Sequence, residues 1–130
     1  MVLFIGVRAQ VVFTETFDSA TKDSLPTGWT KFNLDGNTPN SSLTGCESFD
    51  KAWGCYNLST DCGVSYGSMA AWTTSWFSSA ATANRWMFTP AITIPANNPC
   101  VQWIEFTPEA AYADGYMLYV ICYNNCTNCF

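Results

Sequence analysis

The groups in this chain best suited to chemistry are carboxylates, amide oxygens and thiols, because the sequence holds no histidine. That absence removes Ser-His-Asp and Cys-His nucleophilic catalysis along with the commonest metal ligand. Hard oxygens gather at Asn33-Leu34-Asp35-Gly36-Asn37, where Asp35 and Asn37, helped by Glu15 or Asp18, are candidate calcium ligands. Asp-Gly is first a tight-turn pair, however, and turn chemistry alone explains the stretch. Cys122, Cys126 and Cys129 stand near finger spacing for zinc but lack a fourth ligand, so disulfides are the expected fate. Glu105 and Glu109 flank Pro108 and resemble a glycosidase pair only in type. Carboxylates across a proline turn are more often solvated loop residues, and a non-catalytic protein is expected.

Seven cysteines, at Cys46, Cys55, Cys62, Cys100, Cys122, Cys126 and Cys129, are many for 130 residues and point to an oxidising, extracellular location with these residues as disulfide candidates. The odd count leaves one thiol free, paired between chains, or paired beyond residue 130. Charged residues are only 12%, so Ser, Thr, Asn and Gly must finish the surface, as in secreted, glycosylated or self-associating proteins. The net charge is −5 and the basic residues are scattered singly, which excludes the basic stripe that nucleic-acid binding needs.

These groups need elements to hold them, and the period of the sequence is that of strands. In residues 84–95, Trp86, Phe88, Ile92 and Ile94 share one parity, which predicts a strand with one buried face. Pro90 sets that strand at a sheet edge or marks a bulge. Residues 101–107 and 115–122 follow as two further strands, giving an antiparallel all-β domain. Both faces of 115–122 are apolar, so something is expected to cover its outer side.

Upstream, residues 11–18 alternate as a strand with Glu15 among its apolar side chains, where a carboxylate must find backbone donors, a cation or water. Pro26, Gly28 and Trp29 make a turn into a short strand at 29–32, and periodicity is lost over a Cys-rich loop at 38–67 before resuming at 68–76. Trp53, Tyr56, Trp72 and Trp76 would serve as a sugar-stacking platform, or as core and interface.

A single domain is expected over 11–130, preceded by an apolar segment at 1–10. Val7 and Ala9 fit the tail of a secretory signal cleaved before Gln10. The other reading makes Val2, Leu3, Phe4, Ile5 and Val7 a strand lent to a neighbouring molecule, since the segment is too short to cross a bilayer. Asn40, Asn57 and Asn125 each open an N-linked glycosylation sequon.

The succession Phe13-Thr14-Glu15-Thr16-Phe17-Asp18, LPTGW ending at Trp29, LDGN ending at Asn37, NRWMFTPAITIP at 84–95 and DGYMLYV at 114–120 resembles the cleaved-adhesin, or choice-of-anchor J, domain of secreted and surface-anchored bacterial proteins. The resemblance implies an antiparallel β-sandwich of jelly-roll type, here apparently without its closing C-terminal strands. It also implies the company of adhesins and of accessory modules of secreted proteases. Ser19 and Ser24, each after an aspartate, resemble the O-linked acceptors of some bacteria that carry such domains. The family's calcium-associated turn carries several acids, whereas here Asp35 stands between Asn33 and Asn37.

Two functions are expected from these readings. One is a structural subunit of a pilus-like surface fibre, whose copies complete one another by β-strand complementation. The other is an adhesin or carbohydrate-binding module of a larger secreted protein, with surface glycans as partners.

Overall fold

In chain order the strands are β1 (Thr30–Asn33), β2 (Gly54–Asn57), β3 (Met69–Trp72) and β4 (Arg85–Phe88). The computed structural model describes residues 10–43, 52–65, 67–95, 99–105, 107, 111 and 114–121. Within these the chain is essentially all-β, with no helix and with antiparallel pairs in two small sheets, β1–β4 and β2–β3.

β1 enters from a turn whose Trp29 N–H donates to Pro26 O at 3.1 Å. Gly28 stands third in that turn with φ at 87°, a conformation a type II turn assigns to glycine. A Cβ there would also lie 3.2 Å from Pro90 Cγ, so the turn and the end of β4 are packed against each other. β1 then pairs with β4 in the register Thr30↔Phe88, Lys31↔Met87, Phe32↔Trp86 and Asn33↔Arg85. Leu34 N–H donates to Asn84 O at 3.0 Å and carries the pairing one step further.

β2 is held along both edges. Its register with β3 is Gly54↔Trp72, Cys55↔Ala71, Tyr56↔Ala70 and Asn57↔Met69. On the other edge Cys55 N–H donates to Ser24 O at 2.9 Å and Asp23 N–H donates to Cys55 O at 3.0 Å. Gly54 permits this approach, since a Cβ there would lie 3.2 Å from the Asp23 Cα. Asn57 closes the strand: its Oδ1 accepts from Ser59 N and Thr60 N, while its own N–H donates to Asp61 Oδ2.

Among the described residues the apolar core sits around β2 and comprises Ala52, Cys55, Tyr56, Leu58 and Phe77. A fully buried large apolar side chain is worth about 1.5–3 kcal/mol, so this small cluster alone is a modest source of stability.

The β1–β4 sheet is turned the opposite way from its hydrophobic pattern. Residues directly opposite in an antiparallel pair share a face, which puts Thr30, Phe32, Trp86 and Phe88 on one side and Lys31, Asn33, Met87 and Arg85 on the other. The polar side faces the core. Phe32 is 52% exposed and Leu34 62%, whereas the Arg85 side chain is 2% exposed.

Several strand expectations are corrected. Residues 11–18 form no ladder: Glu15 Oε1 accepts from Phe17 N at 2.6 Å and Phe17 has φ of 64°, so the run curls at its end. The strand expected over 84–95 stops at Phe88, before the Thr89-Pro90 pair whose proline has no N–H to donate. Within residues 101–107 and 115–122, none of the described positions is in a strand. Conversely, β2 lies inside the stretch expected as a Cys-rich loop.

Candidate functional site

Asp35 and Arg85 make a buried, hydrogen-bonded ion pair. The Asn33–Asn37 turn forms as an Asp-Gly pair demands, with Gly36 at φ 63° and its N–H bonded to Asn33 Oδ1 at 3.1 Å. This aims the Asp35 carboxylate inward. Its Oδ1 accepts from Asn37 N at 2.7 Å, and its Oδ2 accepts from Asn84 N at 2.8 Å and from Arg85 Nε at 3.2 Å. Arg85 also donates through Nη2 to Asn37 O at 3.1 Å and lies 4.8 Å from the centre of the Phe77 ring. Burial by itself would raise the Asp35 pKa, but the Asn84 and Asn37 N–H groups and the Arg85 charge outweigh it together, and the carboxyl is held below its ordinary value.

In this arrangement the calcium candidates Asp35 and Asn37 are engaged by groups of the chain itself. Both carboxylate oxygens already accept hydrogen bonds, and a guanidinium occupies the place a cation would take. The Asn37 side chain is likewise directed elsewhere, donating through Nδ2 to Thr82 O at 3.2 Å. Glu15 finds its partner in the Phe17 N–H, and Asp18 is exposed. Among the described residues no group of three or more His, Cys, Asp or Glu is placed to hold a metal ion.

The cysteines divide. Cys62 is disulfide-bonded, whereas Cys55 and Cys100, both disulfide candidates from the sequence, carry free thiols. Cys55 has no exposed surface and is enclosed by the two edges of β2; burial first, and then the Glu15 charge, push its pKa up to about 11 despite Lys31 nearby. Such a thiol is a core side chain and a poor nucleophile. Cys46, Cys122, Cys126, Cys129, Glu109, Asn125 and the apolar run at 2–7 lie outside the described residues.

Of the glycosylation candidates, Ser19 is exposed, while Ser24 is half-buried and donates through its hydroxyl to Thr21 O at 2.8 Å. Asn40 and Asn57 are half-buried, and their Oδ1 atoms accept backbone N–H groups of their own turns.

Trp53, Tyr56, Trp72 and Trp76, a sugar platform or core and interface by sequence, differ in exposure. Tyr56 is 2% exposed in the core, and Trp53 is half-buried with its Nε1 donating to Arg85 O at 3.3 Å; Trp76 is 53% exposed. Different aromatics come together on the outer face of β1–β4. The Trp86 and Phe88 rings are 5.9 Å apart and within 9° of parallel, Phe32 meets Phe88 edge-on at 5.7 Å, and Tyr119 reaches Trp86 at 5.4 Å. Trp86 and Phe88 share one side of β4, as their parity predicts, and both are half-buried there.

No protein-family model, curated protein or solved structure matches this chain.

What remains as a candidate site is apolar surface beside unpaired backbone. Ile104 is 99% exposed, Met117 77%, Leu118 58% and Ile121 61%, and none of them lies in a strand ladder. Among the described residues, side chains tie these two segments together: Trp103 Nε1 donates to Glu105 Oε2 at 2.8 Å and to Tyr116 OH at 2.8 Å, and Tyr116 OH donates to the same carboxylate oxygen. A second feature is a groove of about 560 Å³ between residues 10–13 on one side and Ala91, Ile92, Thr93 and Pro95 on the other. Among the described residues no helix is long and apolar enough to cross a membrane.

Proposed function

We propose that this chain is a non-catalytic structural subunit of an extracellular, pilus-like surface assembly, a β-sandwich of jelly-roll type whose copies join by strand addition. The observation that carries the reading is the segment 115–121. It is apolar on both faces, its side chains from Tyr116 to Ile121 are all more than half exposed, and it takes no ladder partner among the described residues. A strand with two apolar faces belongs inside a covered sheet. Unpaired backbone flanked by such side chains is a template for another chain, because strand addition satisfies the N–H and C=O groups and removes the apolar surface from water in one step. The disulfide at Cys62 supports an oxidising, extracellular setting.

A glycan-contacting adhesin module is the second reading, and the cluster of Trp103, Tyr116 and Glu105 favours it, since two exposed aromatics beside a carboxylate suit sugar rings and hydroxyls.

Electron microscopy and analytical ultracentrifugation of the intact chain test the first reading. Concentration-dependent polymers are expected, and Leu118→Lys should shorten them. A monodisperse single chain at high concentration would reject the fibre and leave the module.

A further inference from the structure

We propose that the groove between residues 10–13 and 91–95 is the acceptor for the apolar run 2–7 of a second copy of this chain. The assignment rests on the fibre reading and gives it a specific joint.

Both walls of the groove are backbone without a ladder partner among the described residues. Among the described residues, neither 10–13 nor 91–95 belongs to a ladder or makes a backbone hydrogen bond of its own. A strand entering between them gains partners on both sides. The lengths agree: at about 3.3 Å per residue, walls of this length run roughly 13–16 Å, which about four or five extended residues of the run match. The chemistry agrees as well. No charged side chain lines the groove, Val11 and Ile94 beside it are 75% and 52% exposed, and the run Val2-Leu3-Phe4-Ile5-Gly6-Val7 is wholly apolar.

The occupant is a second copy because the sequence gives the chain's own run no turn with which to enter. Only Arg8 and Ala9 separate Val7 from Gln10, which already lines the groove. Self-insertion would need a two-residue hairpin, and those loops demand Gly, Asn or Asp at positive φ. Arg8-Ala9 supplies neither, whereas a neighbour's run enters with no turn at all. The join is then head-to-tail, which propagates into a filament.

Two variants of the full chain test this joint. Phe4→Lys spoils the donor and leaves the groove, and Val12→Lys with Thr93→Lys spoils the groove and leaves the donor. Each alone is expected to sediment at the single-chain mass, and an equimolar mixture is expected to give a one-to-one pair that grows no further. Recovery of that pair also shows that both variants are folded. If the groove variant polymerises like the parent, the groove is not the acceptor and the fibre reading survives without it. If the mixture stays monomeric while the parent polymerises, the pairing of this donor with this groove is overturned. A parent chain that never polymerises overturns both.

Discussion

Arg85, at the start of β4, donates to Asp35, in the Asn33–Asn37 turn, at 3.2 Å, with both side chains almost wholly withdrawn from water. The pair spans fifty residues of chain and fixes the Asn33–Asn37 turn to the start of β4. Trp53 bonded to Arg85 O, and Lys31 bonded to Trp53 O and Asp23 O, extend the same network to the β2 side. The two small sheets are thus joined by polar contacts more than by apolar packing.

Removing one partner of such a pair is expected to be costly and unequal. Asp35→Ala leaves a buried guanidinium uncompensated, a loss of about 3–5 kcal/mol. Arg85→Met should lose less, because Asp35 keeps the Asn37 and Asn84 N–H groups. Urea denaturation of both single variants and the double variant gives the ordering and the coupling.

The same carboxyl sets an acid limb. Its pKa is lower in the folded chain than its ordinary value of 3.8, so its contribution is complete above that value and is lost as pH falls through the folded pKa. Asp35→Asn should flatten the decline of melting temperature below about pH 4.

Calcium gives a sharp negative test. With both Asp35 oxygens engaged, millimolar calcium or EDTA is expected to leave the melting temperature within about 1 °C of its starting value. A rise with calcium that Asp35→Asn abolishes would identify the turn as a metal site.

The free thiols should react in sequence. Exposed Cys100 is expected to be alkylated in the folded chain near pH 8, and Cys55 only after denaturation, read by mass spectrometry of the labelled peptides. Because the folded thiol has its pKa raised, its contribution is complete below the ordinary 9.0 and is lost as pH rises toward about 11.

Gly28→Ala should cost about 1–2 kcal/mol, since it combines a strained positive φ with crowding against Pro90. Chemical denaturation measures it.

Local signals in the sequence proved readable where the chemistry is local. The turn at 26–29 and the Asp-Gly turn are set by Pro, Gly and Asx side chains within a few residues, and both form. β3 and β4 fall within the expected runs 68–76 and 84–95, and β1 overlaps the short strand expected at 29–32. β2 was hidden because Gly-Cys-Tyr-Asn carries no β-branched residue; its conformation comes from partners on both edges, far away in the chain. The facing of β1–β4 was also out of reach. Alternation says that two faces differ but not which one meets the core, and the charges of Lys31, Asp35 and Arg85 decided it against the usual rule. For the candidate site, the apolar character of 115–121 was visible from the residues, while the groove between 10–13 and 91–95 depends on segments eighty residues apart.

An interior wired by Lys31, Asp35 and Arg85 is far choosier than a greasy one. Aliphatic side chains can be exchanged for others of similar bulk, but a guanidinium threaded between a carboxylate, a carbonyl and a phenyl ring has no substitute of the same shape and donor count. Random mutagenesis should therefore find the alphabet at those three positions narrow and the alphabet at buried Leu58 broader.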